Sequence, residues 1–205
     1  MKYTIRCVLC GAYGENAYLL LPEGRRDCLL IDPGDNLPGL EEALAGLSLR
    51  GILLTHGHFD HMLSAEPLQR ISGAKVYVAR EDGELLSDAY KCAYDAACSA
   101  LPCPENLAWE PLSENLSLCG MTFSVLPTPG HTEGSVCFYD SENALLFAGD
   151  TLFRGGFGRM DLYGGSRNKM LASLNRLFAL PEATRVFSGH GEETTIGEEK
   201  RRYRL

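Results

Sequence analysis

Residues 53 to 63 read LLTHGHFDHML. An apolar run stops at Thr55, and the next six positions hold His56, His58, Asp60 and His61. The chain has five histidines in all, and three of them fall in this one window. In extended backbone, residues two apart point the same way, so His56 and His58 can grip one ion together. Asp60 and His61 come where the chain turns toward a following helix, which re-aims their side chains. Imidazole and carboxylate are the donors that zinc or iron accept, and both are unprotonated, or nearly so, at neutral pH. The four side chains could serve one ion or be divided between two. The alternative is a polar surface loop with Asp60 capping a helix. The spacing weighs against it, because H-x-H-x-D-H directly after an apolar strand is what coordination requires.

Three more ligand-type residues stand at similar places. His131 lies in TPGHTEGS, Asp150 in LLFAGDT and His190 in VFSGHG. Each follows an apolar, strand-like run and adjoins glycine, so each side chain would emerge at a strand end with little steric cover. Alone, any of them would read as a hydrogen-bonded loop residue. Together, four strand ends would deliver five histidines and two aspartates, enough for two metal ions. No histidine is left over to activate a serine or cysteine, so the nucleophile expected is water.

The elements that must position these residues are strands first, then alternating strands and helices. Strands are expected over 3–9, 17–21, 28–31, 51–54 and 75–78, then over 117–119, 121–126, 135–139, 144–148 and 185–188. Helical spacing covers 37–47, 62–71 and 168–179, with a short final helix opened by a capping box of Thr195 and Glu198. Residues 81–101 also read as helical, with Tyr90, Tyr94, Ala97 and Leu101 near one face as core or groove lining, ended by Pro102 and Pro104. The two halves share a strand-then-helix order, which predicts two packed sheets with helices outside. Nothing along the chain reads as a linker or a repeat, and 205 residues suit a single domain over 1–205.

Composition narrows the partners. A net charge of −8 argues against nonspecific binding to nucleic acid, which needs a basic face. No apolar run approaches the roughly 18 residues of a membrane span. The first ten residues, MKYTIRCVLC, have no secretory pattern, so a cytoplasmic location is the expectation. Eight cysteines in a chain of this length read as free, mostly buried thiols rather than as a disulfide framework. The C-x-x-C of Cys7 and Cys10 falls in a strand, where an offset of three sends the side chains to opposite faces.

THGHFDH, GHTEGS, GDTLF and SGHG, in this order, resemble the metallo-β-lactamase-fold hydrolases, and within them the glyoxalase II-like (hydroxyacylglutathione hydrolase-like) group. The resemblance covers nearly the whole chain. It implies an α+β fold, a four-layer αββα sandwich, with a metal site along one edge. By that resemblance His56, His58 and His131 hold a first metal. Asp60, His61 and His190 hold a second, and Asp150 bridges both. Asp32, in LLIDPG, matches an aspartate that steadies the metal loop from behind the ligands. Asp150 separates the chain from β-lactamases of this fold, which lack the bridging carboxylate. Glyoxalase II carries a basic residue and a tyrosine for the glutathione tail in the stretch after Asp150. Arg159 matches the basic position and is the candidate substrate-binding residue, whereas Asp161 replaces the tyrosine. Glyoxalase II proper also carries a further helical domain where this chain ends, so glutathione itself is not implied.

The cofactor expected is two divalent cations, zinc first, with iron or manganese as alternatives. They would acidify a shared water for attack on the carbonyl of a small-molecule thioester, with Asp60 orienting that water. Thioesters fit because a thiolate leaves without first being protonated. The alternative is a mononuclear iron oxygenase of the persulfide dioxygenase type, using His56, His131 and Asp150. A regulatory protein that keeps the metals without turnover is the third reading. The sequence carries no signal for oligomeric state.

Overall fold

The computed structural model describes residues 1–94 and 101–203. Among the described residues, twelve strands form two six-stranded sheets. The first runs in chain order through β1 (Tyr3–Cys10), β2 (Glu15–Pro22), β3 (Asp27–Ile31), β4 (Ser48–Leu53), β5 (Lys75–Val78) and β6 (Trp109–Pro111). The second comprises β7 (Asn115–Leu118), β8 (Met121–Pro127), β9 (Val136–Asp140), β10 (Leu145–Gly149), β11 (Arg185–Ser188) and β12 (Thr194–Thr195), laid side by side from β12 to β7. The helices are α1 (Leu37–Ala43), α2 (Ala65–Ser72), α3 (Arg167–Leu177) and α4 (Ile196–Arg202).

Runs such as CLLI in β3 and LLFA in β10 are apolar at every position because both faces of these strands are covered. Successive residues alternate between two cores. Leu20, Leu29, Ile31 and Leu53 face Phe123, Phe138, Phe147 and Phe187 between the sheets. Leu19, Leu30 and Ile52 point outward to Leu40 of α1 and Leu68 of α2. Leu146 and Val186 point the other way, to Met170 and Leu174 of α3 and Ile196 of α4. The result is the expected four-layer αββα sandwich.

Two parallel pairs aim strand ends at one edge. β3 and β4 run parallel, as do β10 and β11. Their C-terminal ends release Asp32, the loop from Thr55 to His61, Asp150 and His190 on the same side. The β8–β9 connection supplies His131 there, and Val136 N–H donates to the Thr55 carbonyl across the sheets at 2.8 Å.

Over residues 81–94 the structure corrects the reading of 81–101 as a helix; residues 95–100 lie outside the described residues. Residues Arg80–Ser87 form 3-10 turns, and the chain is extended at Asp88. The Asp88 carboxylate accepts hydrogen bonds from the backbone N–H groups of Tyr90 and Lys91 (3.1 and 3.0 Å), offering the backbone a turn in place of a helical ladder. Tyr90 is consequently out in solvent, at 73% exposure, rather than lining the core. Tyr94 and Leu101 pack against the core as expected, and Ala97 lies outside the described residues. The short strands β6 and β12 have no alternating pattern and escaped the sequence reading. The capping box forms by half. Thr195 Oγ1 accepts from Glu198 N–H at 3.1 Å, while the Glu198 carboxylate turns instead to the Thr194 hydroxyl. Cys7 is exposed and Cys10 buried, on opposite faces of β1. No disulfide links the described cysteines.

Candidate metal centre

The seven ligand-type side chains from four strand ends meet in one cluster. His56, His58 and His131 each offer a donor atom within 4.8 Å of the others. The same holds for His56, His61 and Asp150, and for Asp60, His61 and His190. Asp150 stands between the halves. Its Oδ1 is 3.3 Å from His61 Nε2 and 3.7 Å from His190 Nε2, and its Oδ2 is 3.5 Å from His131 Nε2. Asp60 Oδ2 lies 3.3 Å from His190 Nε2 and 3.9 Å from His61 Nε2.

The outer nitrogens of the imidazoles fix which lone pairs face inward. His131 Nδ1–H donates to the Arg159 carbonyl at 2.7 Å, leaving Nε2 as a lone pair. His190 Nδ1–H donates to the Tyr13 carbonyl at 3.2 Å. His61 Nδ1–H donates to Asp32 Oδ2 at 3.0 Å. Asp32 also accepts from Thr55 N–H (2.7 Å) and from the Thr55 hydroxyl (2.6 Å). The Thr55 oxygen, its own hydrogen committed, then accepts from His56 Nδ1–H at 3.0 Å. Asp32 therefore orients His61 directly and His56 through Thr55. Carboxylates in this place hold a ligating histidine in the correct tautomer.

These side chains fit divalent cations. His56 Nε2, His61 Nε2 and Asp150 Oδ1 are buried and have no hydrogen-bond partner. An orphaned buried polar atom costs roughly 1–3 kcal/mol, so three in one place call for a shared partner. His58 Nδ1 and His131 Nε2 approach to 2.8 Å, which one shared proton explains without a cation and two inward lone pairs explain with one. The donor set of imidazoles and carboxylates suits zinc, iron or manganese.

Electrostatics divide the cluster. Burial holds the His56 imidazolium well below its ordinary range, aided by the neighbouring imidazoles. Burial and His131 push His58 down to about 3. Burial would also lower His61, but Asp150, Asp60 and Asp32 outweigh it and hold that ring well above its usual value. Burial alone would raise the Asp150 and Asp60 carboxyls. The surrounding histidines, His61 foremost, reverse this and hold both below the usual carboxylate range. The carboxylates are thus kept ionised beside neutral His56 and His58, whose lone pairs are available, whereas His61 gives up a proton when it ligates.

Glycine makes the approach of the strand ends feasible. A Cβ on Gly189 would collide with Asp150 Oδ1 and His61 Cε1. Above the cluster opens a cavity of about 300 Å³, walled by Tyr13, Phe59, Ala93, Phe153 and Leu162. Arg159 stands at its mouth, exposed, and its guanidinium makes two bonds to the Asp161 carboxylate, at 2.7 and 2.8 Å.

Four contributors went unread in the sequence. Asn16 donates to the Ser188 and Gly191 carbonyls (3.0 and 2.9 Å), and the Tyr18 hydroxyl donates to Ser188 at 2.6 Å, so β2 holds the end of β11 that carries His190. Glu15 is fully buried, with neither oxygen hydrogen-bonded, 3.8 Å from His61 Nδ1. Burial holds its carboxyl well above the ordinary range. A charged residue opening a strand buried on both faces was the available signal. Asp82, also fully buried, sits in an acidic stretch, REDGE, at the start of the segment expected to be helical.

Residues 10–190 match the Metallo-beta-lactamase superfamily. The chain belongs to that superfamily. Its members are generally metal-dependent hydrolases, and the His/Asp cluster is the metal-binding site of the fold. The hydroxyacylglutathione hydrolase GloC of Haemophilus influenzae is 32% identical over 206 residues, spanning 97% of this chain and 95% of its own. Among solved structures, TTHA1623 in a di-iron-bound form is 44% identical, with a TM-score of 0.83 over 96% of this chain and 97% of that one. BLEG-1, described as a B3 metallo-beta-lactamase, is 34% identical, with a TM-score of 0.87 over 97% of both chains.

Proposed function

We propose that this metallo-beta-lactamase superfamily member is a dinuclear metal-dependent hydrolase of small-molecule thioesters, of the glyoxalase II-like kind. The observation that carries the reading is the convergence of seven donor side chains, with unpartnered buried lone pairs, beneath an apolar cavity. In this proposal His56, His58 and His131 would hold the first cation, Asp60, His61 and His190 would hold the second, and Asp150 would be shared by the two. When bound, the cations supply Lewis-acid polarisation of the carbonyl and acidify a water. Zinc, iron and manganese all suit the donors, and a di-iron form of a 44% identical protein supports iron as much as zinc.

The chain's own side chains do the rest. Asp60, 19% exposed and facing the cavity, orients the attacking water and can take up its proton at Oδ2. Tyr13, Phe59, Phe153 and Leu162 exclude bulk water and seat an apolar acyl chain. Beyond the cluster itself, Tyr13 and Arg159 are the only proton-bearing side chains among the described residues lining the cavity. That poverty of acids suits a thiolate leaving group. The name of the Haemophilus relative supports the same class.

Arg159 is proposed to meet the substrate's thiol portion. Because Asp161 neutralises it, the mouth attracts a polyanionic thiol weakly. Asp161→Asn should therefore raise kcat/KM for a glutathione thioester several-fold while leaving a neutral thioester within twofold. Equal effects on both esters would remove Arg159 from substrate recognition.

The test of the main reading is a panel of thioesters, lactones, phosphodiesters, persulfides and a β-lactam, run with metal analysis of the same sample. Thioester turnover with two cations per chain is the expected result. One iron per chain with oxygen uptake on persulfides would replace the reading with an oxygenase. The oxygenase is therefore the second reading. BLEG-1 puts a β-lactam in the panel, although Asp150 weighs against it, and β-lactam turnover exceeding that of every thioester would also overturn the proposal.

A further inference from the structure

Asp82 lies outside every ligand group of the cluster, yet it is fully buried and saturated with hydrogen bonds. Its Oδ1 accepts from Gly134 N–H at 2.6 Å. Its Oδ2 accepts from Gly57 N–H at 2.9 Å and from the Thr132 hydroxyl at 2.7 Å. Gly57 is the residue between His56 and His58, and Thr132 follows His131. One carboxylate therefore grips both segments that supply the first site. These segments are 73 positions apart in sequence at His58 and His131.

The surroundings are built for this grip. A Cβ on Gly134 would lie 2.6 Å from Asp82 Oδ1, and one on Gly57 would lie 3.1 Å from the Asp82 carbonyl and 2.7 Å from Leu85 Cβ. Both loops come against Asp82 with backbone alone. The Thr132 hydroxyl, having donated to Asp82, accepts from Ser135 Oγ at 2.7 Å, and Ser135 Oγ accepts from Thr132 N–H at 3.1 Å. The rotamer of Thr132 and the turn carrying His131 are thus fixed together. Hydrogen bonds to a charged acceptor are the strong kind, and removing that acceptor leaves two backbone N–H groups buried without a partner and the Thr132 hydroxyl with Ser135 alone.

We propose that Asp82 is a positioning residue for the first metal site, holding the His56–His58 loop and the His131 turn at the separation one cation requires. This rests on the two-cation reading of the cluster. The second site shares the Thr55–His61 loop through Asp60 and His61 but takes His190 from a strand end that Asp82 does not bond. Asp82 meets the shared loop only at Gly57, so that site should be affected much less. Asn cannot substitute fully, because it offers one acceptor where the two oxygens face three donors.

The test uses the five histidines as reporters. Metal-free wild type, Asp82→Ala, Asp82→Asn and Thr132→Val are labelled with nitrogen-15 in histidine and titrated with Zn²⁺. Imidazole nitrogen shifts are followed ring by ring. In the wild type, His56, His58 and His131 report one cation and His61 and His190 the other. Asp82→Ala should weaken the first group's binding about 10–100-fold, as supporting residues around metal ligands do, with the second group within threefold. Asp82→Asn and Thr132→Val should fall between Asp82→Ala and wild type, and they carry the test if Asp82→Ala does not fold. First-site affinity unchanged in folded variants, or equal weakening of both sites, would overturn the proposal. A wild type in which no histidine responds to Zn²⁺ would instead overturn the metal reading on which it rests.

Discussion

Asp32 does more than its place in a turn requires. It has a positive φ of 49°, costly for a residue with a side chain, and spends its carboxylate on Thr55 and His61. Backbone strain of this kind costs on the order of 1–3 kcal/mol and persists only where the surroundings hold it. Through those bonds Asp32 sets the ring orientation of His56 and His61, one from each proposed metal site. Asp32→Ala should therefore weaken both cations, by roughly 10–100-fold, in competition with a chromophoric chelator. Affinities equal to wild type would show that the rings orient themselves. At this scale the sequence was uneven. The histidines were legible because coordination concentrates one residue type at short, regular spacing. Asp82, Glu15 and Asn16 were not, because a carboxylate or amide is informative only once its burial is known.

The strands that carry the site were legible for a different reason. A sheet covered on both faces demands apolar residues at every position, so β3, β4 and β10 stand out as unbroken runs. Edge strands of two or three residues, β6 and β12, show no period. The segment after Arg80 has helical spacing but is diverted by Asp88. What no pattern reveals is that β3 with β4 and β10 with β11 run parallel and end on the same edge. The loops pay a geometric cost there. Gly130, next to His131, has φ +144°, and an added Cβ would run into the backbone of Met170 in α3. Gly130→Ala should destabilise the fold by ~1–3 kcal/mol. At roughly 2–4 °C per kcal/mol for a chain of this size, the loss shows as a lower melting temperature. An unchanged urea midpoint would mean that the α3 terminus yields freely.

For the molecule as a whole, the site ties the two sheets together. His56, His58, Asp60, His61 and Asp32 come from the first sheet, and His131, Asp150 and His190 from the second. No helix among the described residues is long and apolar enough to cross a membrane. Cations bound across the sheets favour the native state, because the unfolded chain holds no equivalent site. With free metal about a hundredfold above its dissociation constant, the gain is about 2.7 kcal/mol for each cation. A chelated sample, having lost both cations, should then melt about 10–20 °C below the loaded protein. Equal melting temperatures, with metal loss verified, would contradict the placement of the ions between the sheets.

The claim that the chain works as a two-metal thioester hydrolase is tested most directly by His190→Ala. His190 is held by the Tyr13 carbonyl with Nε2 toward Asp60 and Asp150, so the account makes it a ligand of the second cation and of nothing else. Metal content and thioester turnover measured on the same wild-type and variant samples give the answer. The metal content of the variant should fall from two per chain to about one, with most thioesterase activity lost, since one cation acidifies the water less than two. A variant with full metal content and undiminished thioester turnover would contradict the two-metal claim.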